Sequence, residues 1–164
     1  MSKKILKWIL YGAAAVIGLI GAMMLFAPAL KVDSFLGTET TSGATIAFGN
    51  KDEGFAVSAY MLPFFLALIG VALVVVAALG KGGKVVPIAA AVCFVVAGAL
   101  FFLPKQFAMA DLSDVPEAGK EQVKELFKAA MDLCDIGAGA IVGGIFSIIA
   151  AVVSVVPIFV CKEN

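Results

Sequence analysis

Four stretches of this chain contain no Asp, Glu, Lys, Arg or His: Trp8 to Leu30, Gly54 to Gly80, Val85 to Pro104 and Ile136 to Cys161. Each reaches the roughly 20 apolar residues that a helix needs to cross a bilayer core. No other segment competes with them. The residues are 62% hydrophobic and 15% charged, the reverse of a soluble domain, where roughly half are apolar and a quarter charged. Subtracting four spans leaves too little chain for a separate soluble unit. The expected fold is therefore an all-α membrane protein, one domain over residues 1–164. It is a bundle of four transmembrane helices at about 6–30, 55–80, 85–104 and 136–161, with external segments 31–54 and 105–135. The first stretch follows Lys3 and Lys4 and ends near Ala27-Pro28-Ala29, as a cleaved leader would. Its apolar run far exceeds the roughly 7 to 15 residues of a leader core, so it is read as a span.

The basic residues are all lysine, and acids and bases balance at 12 each. Net charge thus gives no pull toward nucleic acid. Distribution is more informative. Lys3, Lys4, Lys7, Lys81, Lys84 and Lys162 crowd into the two ends and the short Lys81-Gly82-Gly83-Lys84 connector, whereas every acid except Glu163 lies in the other two connectors. Short lysine-dense loops stay cytoplasmic, which predicts a multi-pass plasma-membrane protein with N and C termini cytoplasmic. Trp8 and Tyr11 are expected at the inner interface and Tyr60 at the outer one, where aromatic belts form.

Helices in lipid associate through small residues. Gly139, Gly143, Ser147 and Ala151 recur every four residues in the fourth span, and Ala14, Gly18 and Ala22 repeat a weaker version in the first. These are the expected helix-packing positions, whether within the bundle or against a partner helix. Pro63 and Pro87 fall near helix starts, where proline costs little.

With no His or Arg in the chain, the commonest general base and the best phosphate-recognising side chain are missing. Ionisable groups within spans usually mark ion paths or proton relays, and these spans have none. No catalytic residue, cofactor site or metal site is expected. Cys93, Cys134 and Cys161 fall at mid-membrane, the outer edge and the inner edge, too far apart for an intrachain disulfide. A bridge from Cys134 to another chain is the sharper alternative.

In the first external segment, Thr38 to Thr41 and Ala44 to Phe48 flank Ser42-Gly43, which predicts a small β-hairpin with Ala44, Ile46 and Phe48 on one face. Asn50 to Gly54 reads as a solvated turn, with too few ligands for a calcium site. In the second segment Asp114 and Pro116 open an amphipathic helix. Glu117, Glu121 and Glu125 alternate with Lys120, Lys124 and Lys128 along one side, while Val123, Leu126, Phe127, Ala130 and Leu133 form an apolar stripe on the other. That stripe needs a surface: the chain's own hairpin or bundle, the lipid interface, or another protein. Ile46, Phe48, Val123, Leu126, Phe127, Ala130 and Leu133 are the expected external contacts. The helix is also expected to run through Asp132 and Asp135 toward the fourth span, bending at Gly137 and Gly139.

Four spans, cytoplasmic ends, a β-like first external loop and a short inner turn resemble the claudin-type tetraspan topology. The tryptophan and paired cysteines of the claudin first loop are not present, and no claudin activity is carried over. Ala44-Thr45-Ile46-Ala47-Phe48-Gly49 and the Val95 to Leu103 run look like small four-span membrane proteins of low-GC Gram-positive bacteria, a family without an assigned function.

The expected role is a non-enzymatic membrane scaffold or accessory subunit. It would contact lipids and either further copies or another membrane protein. One alternative is a passive oligomeric channel for small solutes. The other is a lipid-handling enzyme using Asp111, Asp114 or the pair Asp132 and Asp135, one helical turn apart.

Overall fold

The computed structural model describes residues 2–34, 37–49, 58–110, 125–126, 128–129 and 132–160. Helix α1 (Lys3–Met23) starts after Ser2, whose extended backbone supplies the carbonyl for the Ile5 and Leu6 amides. It tightens into a 3₁₀ turn at Met24–Phe26, and Ala27 is extended. Pro28 is the cause, because its ring disfavours the helical region for the residue before it. Proline then begins strand β1 (Pro28–Ser34), a position where its missing N–H is tolerated. The helical part of the first span is thus shorter than the sequence predicts.

β1 pairs antiparallel with β2 (Gly37–Ser42), Ser34 lying opposite Gly37 and Asp33 opposite Thr38. The hairpin therefore exists one element earlier than expected. Residues 43–48, predicted as its second strand, form helix α2 (Gly43–Phe48) instead. The Ser42 hydroxyl caps it by accepting from the Thr45 amide at 3.1 Å, and Gly49 ends it at φ 76°. Ser42-Gly43 is a helix start, not a turn.

A 3₁₀ turn (Ser58–Met61) leads into α3 (Leu62–Ala78), with Pro63 harmless in its first turn. The tight connector uses left-handed glycines at 80, 82 and 83. α4 (Val85–Phe101) and the short α5 (Pro104–Ala110) follow, then β3 (Cys134–Ile136) and α6 (Ala138–Val160). β3 pairs antiparallel with Leu30 to Val32, giving a three-stranded sheet of order β2-β1-β3. The expected continuous helix from the second external segment into the fourth span is broken here. Gly137 explains the geometry: its amide donates to Ala29 O at 2.7 Å, and any Cβ on it would collide with the Pro28 carbonyl.

The long helices close a ring in which α1 packs on α3, α3 on α4, α4 on α6, and α6 on α1. Three are long and apolar enough to cross a membrane: Lys3–Phe26, Ala59–Ala78 and Ala138–Val160. The fourth, Val85–Phe101, is equally apolar but has 17 residues. The sheet, α2 and α5 cap one end of the ring.

Burial runs opposite to that of a soluble bundle. α6 buries Gly139, Ala140, Gly143, Gly144, Ser147, Ala150, Ala151 and Ser154 while exposing Ile141, Ile145, Ile148, Ile149 and Val152. α3 and α4 likewise bury mainly alanine, glycine and proline, with Phe65, Ile69, Ile88, Val92 and Val95 outside. Small residues let the backbones approach, and large aliphatic ones are left to the surroundings.

Candidate functional site

The small-residue stripes lie inside this chain's own bundle. Ala14, Gly18 and Ala22 are buried on α1, and Gly139, Gly143, Ser147 and Ala151 on α6. Gly21 of α1 lies against Gly143 and Ser147, while Gly139 lies against Ala27 and Pro28, so one side of the α6 stripe seats α1. The adjacent side seats α4, where Gly98 meets Gly144 and Ile148, and Gly144 meets the Phe102 ring. Ser154 satisfies its hydroxyl by donating to Ala151 O at 2.7 Å. Ser147 Oγ and Tyr60 Oη are buried without a hydrogen-bond partner.

At the capped end a second core joins sheet to bundle. Leu25, Ala29, Leu30, Ile46, Ala47, Tyr60, Phe101, Cys134 and Ala140 form one buried cluster. Tyr60 is fully buried, with its ring edge-on to Phe107 at 5.6 Å, and so is not an interfacial aromatic. Gly43 makes the space, since a Cβ there would come within 3.0 Å of the Tyr60 ring. Tyr11 is also buried, in the core at the other end. Among the three aromatics read as belt residues, only Trp8 is substantially exposed, at 49%. Cys134 is 7% exposed beneath the sheet, so a bridge to another chain would require the sheet to open. No disulfide involves Cys93 or Cys134.

The predicted external contacts divide. Ile46 belongs to the buried cluster, whereas Phe48, Leu126 and Leu133 are 62%, 74% and 76% exposed. Val123, Phe127 and Ala130 lie outside the described residues, as do Asp111 and Asp114. Asp132 and Asp135 do not share a helix face, because Asp135 stands on β3 opposite Lys31. The paired-acid arrangement required for chemistry on a headgroup is not formed by them. Among the described residues no group of His, Cys, Asp or Glu has the disposition to hold a metal ion.

The sheet's charged residues face water. Lys31 Nζ pairs with Asp33 Oδ2 at 2.8 Å, and Thr38 donates across the strands to Asp33 Oδ1 at 2.7 Å. The lysine contact, helped by Thr38, holds the Asp33 carboxyl below its ordinary range, and the same contact raises Lys31.

One central core residue has no signal in the sequence. Phe94 on α4 is fully buried between Gly18 of α1 and Gly70 of α3, and neither glycine belongs to a periodic pattern with it. Only the partner helix reveals that a gap is filled. The fold defines a capped four-helix ring with a small-residue interior and an apolar perimeter. Comparison with known protein families, characterised proteins and solved structures finds no match.

Proposed function

We propose that this chain is a four-span membrane scaffold or accessory subunit without catalytic activity, both ends cytoplasmic and the sheet-capped end outside. The observation carrying it is the perimeter: large aliphatic and aromatic side chains are exposed on all four long helices, over a core of Ala, Gly and Ser. A protein in water does not leave so extensive an apolar belt uncovered. α4, with 17 residues, is at the short end of the usual range for a span of about 17 to 25, and its place in the ring between the Ala59–Ala78 and Ala138–Val160 spans supports counting it. Lysine asymmetry supports the orientation.

The small-residue stripes are occupied within the chain, which turns attention to the capped end. Contacts with a second membrane protein or another copy are assigned to Phe48, Leu126 and Leu133, exposed apolar side chains of the segments between the long helices. Over two turns of α4 the interior is filled by Phe94, Ala97 and Phe101, all fully buried, which supports a scaffold over a conduit through one copy.

Gentle native purification followed by mass spectrometry tests this. A defined complex is expected, lost on Phe48→Glu with Leu126→Glu and kept on Asp132→Asn with Asp135→Asn. A monomer with no companion in lipid, or solute flux through liposomes holding the purified chain, would remove the reading.

A further inference from the structure

At the end of the ring opposite the sheet, the start of α1 and the end of α3 enclose a groove of about 480 Å³. Lys3, Lys4, Lys7 and Trp8 form one wall, and Ala78 to Gly80 the other. Among the described residues no acid offsets Lys4 or Lys7. The first turn of α1 contains no acid, and neither Lys4 nor Lys7 has a carboxylate partner among the described residues. Lys7 is moreover only partly exposed. A counter-ion for these lysines is not supplied by α1 itself.

The opposite wall does not supply that counter-ion. Near the end of α3 the carbonyls of Ala77 and Val76 are closed by its own cap, Gly80 N–H donating to Ala77 O and Lys81 N–H to Val76 O. Below the lysines the surface turns apolar, with Ile5, Ile9 and Leu79 each more than half exposed. An anionic head over an apolar flank, with an indole at the boundary, is the disposition of a phospholipid at a bilayer surface.

We infer that this groove binds the phosphate headgroup of an anionic membrane phospholipid, with Lys4 and Lys7 as its cationic ligands, Trp8 beside the head and the acyl chains along Ile9 and Leu79. The inference rests on the membrane reading above. Lysines that only orient a protein act through their number on one side, whereas a site depends on which lysines remain.

Trp8 is the single tryptophan of the chain and reports on the groove directly. The full-length protein in detergent is titrated with phosphatidylglycerol, with phosphatidylcholine and with inorganic phosphate while its fluorescence is followed. A saturable change is expected with phosphatidylglycerol alone. Lys4→Gln with Lys7→Gln should weaken it about tenfold or more, since each lysine near an anionic lipid surface contributes on the order of 1 kcal/mol. Lys81→Gln with Lys84→Gln removes equal charge from the same end and should leave it unchanged, and Lys4→Arg with Lys7→Arg should retain it. Equal responses to both lipids, or equal weakening by both glutamine pairs, would overturn the site. Millimolar phosphate reproducing the change and blocking the lipid would overturn the lipid assignment. Failure of the membrane reading itself would appear separately, as release of the unmodified chain from membranes by alkaline carbonate.

Discussion

Gly18 on α1 and Phe94 on α4 meet so closely that a Cβ on the glycine would stand 2.5 Å from the ring. These helices are diagonal in the ring, so the aromatic side chain spans its centre and relies on the missing side chain opposite. Gly18→Ala should destabilise the fold by about 1 to 3 kcal/mol through overpacking, read as a lower melting temperature in detergent. Adding Phe94→Leu should recover part of the loss. Gly12, with nothing within 4 Å of its would-be Cβ, serves as the control: Gly12→Ala should be neutral or mildly stabilising.

Ser42 controls a local choice between strand and helix. Ser42→Ala removes the cap on the Thr45 amide, and loss of such a cap typically costs about 0.5 to 2 kcal/mol. α2 has six residues, so local fraying is the expected result. Hydrogen exchange at Thr45 and Ile46 should accelerate while the amides of α3 and α6 stay protected. Unchanged exchange at Thr45 would show that packing of Ile46 alone holds the helix.

Gly137 connects the sheet to α6, and its amide bond to Ala29 O requires the Pro28 carbonyl to lie where a Cβ would be. Gly137→Ala should break the pairing of β3 with β1. Cys134, 7% exposed beneath the sheet, provides the readout. With Cys93 and Cys161 replaced by Ser, a membrane-impermeant maleimide should label intact cells weakly with Gly137 and strongly with alanine. Labelling of the alanine variant only after membrane disruption would reverse the proposed orientation.

The hairpin should respond to pH at its exposed tip. Because Asp33 is held below the ordinary carboxylate value of 3.8, its contribution is fully present above that pH and disappears as pH falls through the lowered value. Lys31 is raised above 10.5, so its contribution is complete below that value and disappears only at higher pH. Amide protection of β1 and β2 should therefore be flat from about pH 5 to 9 and decline on acidification. Asp33→Asn should flatten the acid limb.

Much of the architecture is encoded locally. An uncharged run long enough to cross a bilayer can satisfy its backbone there as a helix, and the four long helices appear where those runs are. The proposed orientation likewise rests on lysine placement in the sequence alone, because positive-inside retention depends on charge and loop length rather than on packing. Other features depended on contacts distant in the chain. Residues 43–48 favour a strand by composition, yet Ser42 and Gly49 close a helix that buries Ile46 under the sheet. Cys134 to Ile136 become a strand only because β1 offers an open edge, which removes Asp135 from any helix shared with Asp132. Tyr60 has the polar tip of an interfacial residue, but Gly43 leaves room that draws its ring inside. The stripe of small residues on α6 announced a close helix contact, and only the ring's closure decided that α1 and α4 occupy it. Spacing along one helix records which face is narrow, whereas the identity of the neighbour is a property of the assembled bundle.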